Sequence, residues 1–361
     1  MNARAADPTD DAGIDDHIQS VSGLSDSLLK QLRQSLHKID EINRITRIIS
    51  MNARIEAVRI GTAGRSFGVI AEEMDTLARR VSDTAQDIDR MAVRTSHDLR
   101  ERLDQLQTDV RRTRLTDLAL ANIDLIDRNL YERSCDVRWW ATDAAVVAAA
   151  QDPQPAALAH ASQRLGQILD SYTVYFDLVL ADLQGNIIAN GRPRQYRSTG
   201  QSAAQQAWFQ SAMATHSGEQ FGFQSMHASP LAGGERVLVY ACTVREGGRV
   251  VGRPLGVLGI VFRWDALAQT IVERTPLSDA EWRRSRVCIV DGQGHVLADS
   301  ARGDAASPRL DFPGRATLFA QARAATDLVI EGRACCLAQA ASPGYETYRT
   351  GWHCVIQQGV A

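Results

Sequence analysis

Residues 42–74 read INRITRIISMNARIEAVRIGTAGRSFGVIAEEM. At the centre stands Gly61-Thr62-Ala63-Gly64, two glycines three apart with small residues between them, which suits a tight reversal between antiparallel helices. Upstream, Ile14, Ile18, Val21, Ser25, Leu28, Leu32, Ser35, Ile39, Ile42, Thr46 and Ile49 recur in alternating steps of four and three. Downstream, Ile70, Met74, Leu77, Val81, Thr84, Ile88, Met91 and Thr95 continue the pattern, which is the heptad spacing of a coiled coil. A second stripe (Leu24, Leu29, Leu36, Ile45, Ile48 and Ile55) runs beside the first. Two stripes bury a helix against more than one neighbour, so the expected unit is a four-helix bundle built from two copies of one hairpin. Residues equidistant from the turn should face each other. Near Leu99 and Leu103 two steps of four occur in succession, which shifts the register locally.

The texture changes near residue 150. One proline, Pro8, precedes it and nine follow, with most of the glycines. Asp152-Pro153-Gln154-Pro155 stops the helix. A short helix is expected over 156–172. A strand at Tyr175–Leu180, a turn at Asp182–Asn186 and a strand from Ile187 come next. Arg286–Val290, Asp291–Gly294 and His295–Asp299 repeat that strand, Asp-x-x-Gly turn and strand about 109 residues later. In each turn the Asp can accept from backbone donors and the Gly can take positive φ. Two similar modules are implied, with later strands at 236–244 and 256–263 in the first and at 327–338 and 351–357 in the second. The fold class is α+β. Residues 1–13 are an expected disordered N-terminus, 14–112 a hairpin with its tip near 61–64, and 113–150 a connecting helix. The modules fall at 151–275 and 276–361.

The chain has 361 residues, a net charge of -3, 44% apolar and 23% charged residues. Nothing in that balance points to nucleic acid or an anionic membrane. No apolar run approaches the ~18 residues of a bilayer span. The start, with Asp7, Asp10, Asp11, Asp15 and Asp16, lacks the layout of a signal peptide. A cytoplasmic protein is expected. The six cysteines show no Cys-x-x-Cys or zinc spacing. They read as free buried thiols, with a redox role for the adjacent Cys335 and Cys336 as the alternative.

The stretch at 42–74 resembles, without gaps, the hairpin tip of methyl-accepting chemotaxis proteins. The matching positions are Asn52, Ala53, Glu56, Ala57, Arg59, Gly61, Gly64, Arg65, Phe67, Val69, Ala71 and Glu73. The resemblance implies that the tip contacts a histidine kinase and its coupling protein, and that receptor dimers pack into trimers. Ile48, Asn52, Glu56, Arg59, Gly64, Arg65, Phe67 and Val69 are the candidate partner-binding residues. Arg44 stands where the family has an aromatic at the trimer contact, and a charge at a packed position costs stability unless paired. Trimer formation is thereby in doubt. The pairs of acidic or amide residues that mark methylation sites are missing. The other reading of the tip is a coiled coil that only dimerises.

The long helix and two strand-turn-strand modules, about residues 115–358, resemble the double Cache sensor region of bacterial receptors. In that family each module is a PAS-like antiparallel sheet, and the first usually holds the ligand. The amino-acid-binding subset uses an Arg two residues before an aromatic pair and an Asp on a later strand. Here Trp208-Phe209 matches the pair, Gln206 takes the Arg position and Val261 the Asp position. Without both charged partners a zwitterion has no grip, so an uncharged, aromatic or hydrophobic ligand is expected rather than an amino acid. The candidate pocket is Trp208, Phe209, Phe221, Phe223, Tyr240 and Val261, with Arg245 as its one charge. The competing reading is that these aromatics fill the module core.

No nucleophile elbow, phosphate loop or His-Glu-x-x-His is present. Asp291 lacks the spaced acidic ligands of a calcium loop. No enzyme activity, metal or cofactor is expected. Trp139 and Trp140 are expected to pack the helix on the first sheet. The sequence leaves two functions open: a homodimeric small-molecule sensor signalling through the tip, and an adaptor that joins receptor arrays without sensing. A cavity at Trp208 and Phe209 would favour the sensor, and a packed one the adaptor.

Overall fold

A computed structural model describes residues 9–301, 309–330 and 332–360. The expected disorder of 1–8 lies outside the described residues, as does the side chain of Ile14. Residues 9–13, also expected to be disordered, are helical. The chain divides into two compact units at Arg111 and Arg112.

The first unit is the hairpin. Helix α1 (Thr9–Ile60) meets a 3-10 turn (Gly61–Gly64) and then α2 (Arg65–Trp140), which continues into the second unit. The turn requires both glycines. Gly61 takes φ +74°, and a methyl group on Gly64 would lie 2.3 Å from the Ala57 carbonyl oxygen. Asn43, Ser50 and Ala57 of α1 are buried against α2, where Ala71, Ala78, Ala85 and Ser96 are buried in turn. Ser50 donates its hydroxyl to the Ala71 carbonyl. Ion pairs Arg33–Asp89 (3.2 Å) and Arg47–Asp75 (3.4 Å) centre the register on Gly61.

A single hairpin covers only part of the heptad stripe. Leu28, Ile42 and Ile49 of the expected stripe are 70%, 62% and 54% exposed, and Leu77 and Met91 face outward too. The most buried seam positions are mainly alanine and serine, which let the backbones approach, with Leu29, Leu32, Leu36 and Met74 half-buried beside them and the other large apolar residues outside. Two helices alone can cover only one stripe each.

The second unit holds two antiparallel five-stranded sheets. After α3 (Ala144–Gln151) and α4 (Pro155–Ser171) come β1 (Tyr175–Ala181), β2 (Ile187–Asn190), α5 (Ala207–Met213), β3 (Gly222–Ala228), β4 (Arg236–Arg245) and β5 (Pro254–Arg263). Their sheet order is β2-β1-β5-β4-β3. Helix α6 (Trp264–Glu273) and α7 (Asp279–Trp282) lead to β6 (Ser285–Val290), β7 (Val296–Asp299), α8 (Arg315–Phe319), β8 (Arg323–Ile330), β9 (Arg333–Ala341) and β10 (His353–Gly359). This sheet has the same order, β7-β6-β10-β9-β8.

The repeated turns match atom for atom. Asp182 accepts from the N–H groups of Gln184 and Asn186, and Asp291 from those of Gln293 and His295. Gly185 and Gly294 have φ +85° and +86°. Both modules pack on α2, whose Leu115, Ala119, Ile123, Ile126, Leu130 and Val137 form one buried stripe at helical spacing.

Three expectations need correction. The connecting helix does not run to 150. It breaks at Ala141–Asp143, where the Asp143 carboxylate accepts from the Ala145 N–H at 3.0 Å and starts α3. The single strand expected at 327–338 is the hairpin β8–β9, turned at Gly332 with φ +77°. Strand β3 was not foreseen. It carries Ser225 and His227 among its apolar residues, which breaks a clean alternation.

Candidate functional site

The tip is built by the last turns of α1 and the first of α2. Seven of the eight candidate residues are exposed there, including Asn52, Glu56, Arg59 and Arg65. Ile48, Phe67 and Val69 are 52%, 64% and 61% exposed. Gly64 is buried and shapes the turn. Arg59 and Glu56 pair at 3.3 Å on one helix face. The result is an exposed surface of apolar and charged residues.

The candidate pocket of the first module does not come together. Alternation on β4 separates it: Val237, Val239 and Ala241 face one core and Leu238, Tyr240 and Cys242 the other. Trp208, Phe209 and Val261 lie on the first side, and Phe221, Phe223 and Tyr240 on the second. Trp208 and Phe209 are 1% and 6% exposed and meet edge to face at 5.9 Å. The Trp208 ring lies over Gly259, where an added methyl would be 3.1 Å from it. The ring therefore fills that face. Gln206 caps α5 with its backbone, and Val261 is fully buried.

On the other face Phe223 and Phe221 contact Tyr240 at ring separations of 4.9 and 5.8 Å. The Tyr240 hydroxyl is 2.5 Å from that of Tyr348, from the loop between β9 and β10. Burial pushes both phenols upward. Arg245 is buried, donating to the Thr243 hydroxyl and the Gly252 and Thr215 carbonyls at 2.9–3.1 Å. It ties loops together rather than facing a cavity. A cleft of about 540 Å³ lies beside this face, lined by Arg138, Ser211, Thr215, Gln220, Phe221 and Thr347. Of the candidate pocket residues, Phe221 borders it.

The sequence reading missed three buried polar groups. Asp127 of α2 is fully buried and holds the loop between β9 and β10. Arg133 lies over the rings of Tyr175 and Phe262 at 5.4 and 5.7 Å, and Tyr175 donates to Asp136 at 2.5 Å. Asp177 is fully buried and accepts from Asn190 Nδ2 at 2.7 Å and from the Leu178 and Arg192 N–H groups. Burial outweighs these donors and pushes its carboxyl up to about 6. Nothing in a period-2 pattern marks a carboxylate that only tertiary donors satisfy.

Cys335 and Cys336 are neighbours on β9, so their side chains point to opposite faces and do not pair as a redox couple. Burial raises the Cys335 thiol, and pushes Cys242 and Cys354 to about 11 and about 12. Thiols so protonated are poor nucleophiles. Trp140 packs on Tyr172 and Tyr175 as expected, whereas Trp139 is 69% exposed.

Residues 2–166 match the family model of the methyl-accepting chemotaxis protein signalling domain. Over that stretch the chain is similar to chemoreceptor signalling domains. Among curated chemoreceptors, PscA of Pseudomonas syringae is 39% identical over 75 residues, 21% of this chain and 11% of that protein. PctB of Pseudomonas aeruginosa is 45% identical over 58 residues, 16% of this chain and 9% of that protein. The chain thus spans about a tenth of the length of these chemoreceptors. Its second unit is similar to the sensory domain of the Campylobacter jejuni chemoreceptor Tlp3. That match has a TM-score of 0.53 and 12% identity, and covers 70% of this chain and 95% of that one. The L-valine complex of the Tlp3 domain matches with a TM-score of 0.52 and 12% identity, over 70% and 94%. At that identity the likeness is one of fold alone: two five-stranded antiparallel modules packed on one long helix.

Among the described residues no helix is long and apolar enough to cross a membrane.

Proposed function

We propose that the chain is a homodimeric, cytoplasmic chemoreceptor-like transducer whose Cache-type region senses a small molecule and whose hairpin tip signals to a chemotaxis histidine kinase and its coupling protein. The observation that carries this is the single helix α2, which forms one arm of the hairpin and then packs its Leu115–Val137 stripe against both modules. A change in how the modules grip that stripe is a change in the arm itself. Dimerisation is supported by the outward stripe of Leu28, Ile42, Ile49, Leu77 and Met91, which needs a partner to be covered. The ligand is inferred not to be an amino acid, from Gln206 and Val261 at the two positions where charges would grip one. The cleft at Arg138, Phe221 and Thr347 is the space this reading assigns to a ligand.

One observation favours the second reading, an adaptor without sensing: the Trp208 ring packed on Gly259 leaves that face filled. The first experiment is a pull-down of the kinase and coupling protein by the intact chain, compared with Glu56→Ala and Arg59→Ala. Binding lost in both variants supports signalling through the tip. No binding by the intact chain would leave the hairpin as a dimerisation element.

A further inference from the structure

We propose that the flank of the hairpin between Asp40 and Arg54 is a docking groove for an acidic amphipathic helix of a different protein. A groove of about 600 Å³ runs there between α1 and α2. Four arginines line it, Arg44, Arg47, Arg54 and Arg79, against the two carboxylates of Asp40 and Asp75. Arg47 and Arg79 both bind Asp75, at 3.4 and 2.5 Å, and so are partly neutralised. Arg44 and Arg54 are exposed and have no ion-pair partner among the described residues. Between them Ile48 and Met51 stand 52% and 66% exposed. The wall thus reads cation, apolar pair, cation. Ten residues of helix separate the two cations, about 15 Å along the axis.

The groove also contains an unmet donor. Asn43 is 7% exposed, and its Nδ2 has no hydrogen-bond partner. A buried amide left so is destabilising, and a carboxylate entering the groove would satisfy it. Arg44 and Arg54 favour the same ligand chemistry, since guanidinium pairs with carboxylate through two parallel bonds. The matching surface is a helix with carboxylates about 15 Å apart and apolar residues between them.

A second copy of this chain is the wrong occupant. Every copy presents the same net positive face, so a two-fold contact through it would set arginine against arginine. The other groove of the hairpin is the one suited to like surfaces. It is mainly apolar, about 220 Å³, with Arg80 the one charge among Leu36, Ile39, Val81, Thr84, Ala85 and Ile88. It uses a different side of α2 and leaves the cationic flank open.

The test uses the full chain and a fluorescent synthetic helical peptide with two glutamates ten residues apart flanking leucines. Twin peptides carry glutamine or lysine instead. Anisotropy should show the glutamate peptide binding about tenfold or more tightly than the glutamine twin, with affinity falling as salt rises. Arg44→Gln with Arg54→Gln should lose that preference while circular dichroism stays unchanged. Arg44→Glu with Arg54→Glu should transfer it to the lysine twin. The proposal is overturned if no peptide binds, if the glutamine twin binds as well, or if the charge reversal transfers nothing. It is also overturned if sedimentation shows that the glutamine double variant loses an oligomer the unaltered chain forms, because the occupant would then be another copy.

Discussion

Asp127 on α2 accepts the Ser342 hydroxyl at 2.6 Å, joining positions 215 residues apart in the chain. The same carboxylate takes the Gly344 N–H and the Thr350 hydroxyl, each at 2.7 Å, and the Thr350 N–H at 3.3 Å. The loop it holds also carries Tyr345, stacked edge-on against Tyr131 of α2, and Tyr348, which meets Tyr240 of the first module. One short segment of the second module therefore touches both the helix and the other sheet.

Removing this acceptor should be costly. Asp127→Ala leaves buried donors unpaired and should lower stability by about 3 kcal/mol, against about 1 kcal/mol for Ser342→Ala. Urea unfolding measures both, and limited proteolysis should show cleavage within 342–350 in the first variant. An Asp127→Ala midpoint equal to that of the unaltered chain would mean the latch carries no stability.

Asp177 gives a pH dependence with a defined sign. Its folded carboxyl lies at about 6, above the ordinary aspartate value of 3.8. Between these values the folded state binds more protons than the unfolded chain, so stability falls as pH rises from about 4 to about 6 and levels off above. The loss is at most about 3 kcal/mol. Urea midpoints across that window should decline more steeply in the unaltered chain than in Asp177→Asn. Parallel slopes would remove Asp177 as the cause.

Trp208 is predicted to be a core residue. Trp208→Ala should cost about 3–5 kcal/mol and leave an apolar cavity over Gly259. Adding indole should then restore part of the melting temperature, as a small apolar molecule refills the space. A variant as stable as the parent would instead mark Trp208 as a residue held ready for a ligand.

The hairpin makes a prediction about assembly. Ile88→Glu places a charge in the groove that holds Ile39 and Val81, and should convert the proposed dimer to monomer in sedimentation. Gly64→Ala should act differently. The added methyl meets backbone at Ala57, so the tip itself should distort and helix content near it should fall at any concentration.

Much of this architecture was legible in the sequence. Gly61 and Gly64 marked the reversal because a positive φ and a close backbone approach leave glycine no substitute there. Asp182 and Asp291 marked the two modules because an Asp-x-x-Gly turn carries its own hydrogen bonds. The hairpin seam was harder. Ala57, Ala71 and Ala78 hold it, and small residues do not stand out in an apolar pattern that larger, outward residues dominate. The pocket reading grouped Trp208 with Tyr240 by residue type, whereas position on the strand decides which face a side chain takes. Asp127 gave no local sign at all, since its donors lie more than 200 residues away.

The seam has one more consequence. Alanines and serines lend a pair of helices little cohesion, so much of what would keep the arms together must come from whatever covers Leu28, Ile42 and Leu77. The folded fraction of the hairpin then follows the law of mass action. For the dimeric transducer proposed above, how many copies a cell makes would become a variable of the signal, with output rising more steeply than abundance while copies are scarce.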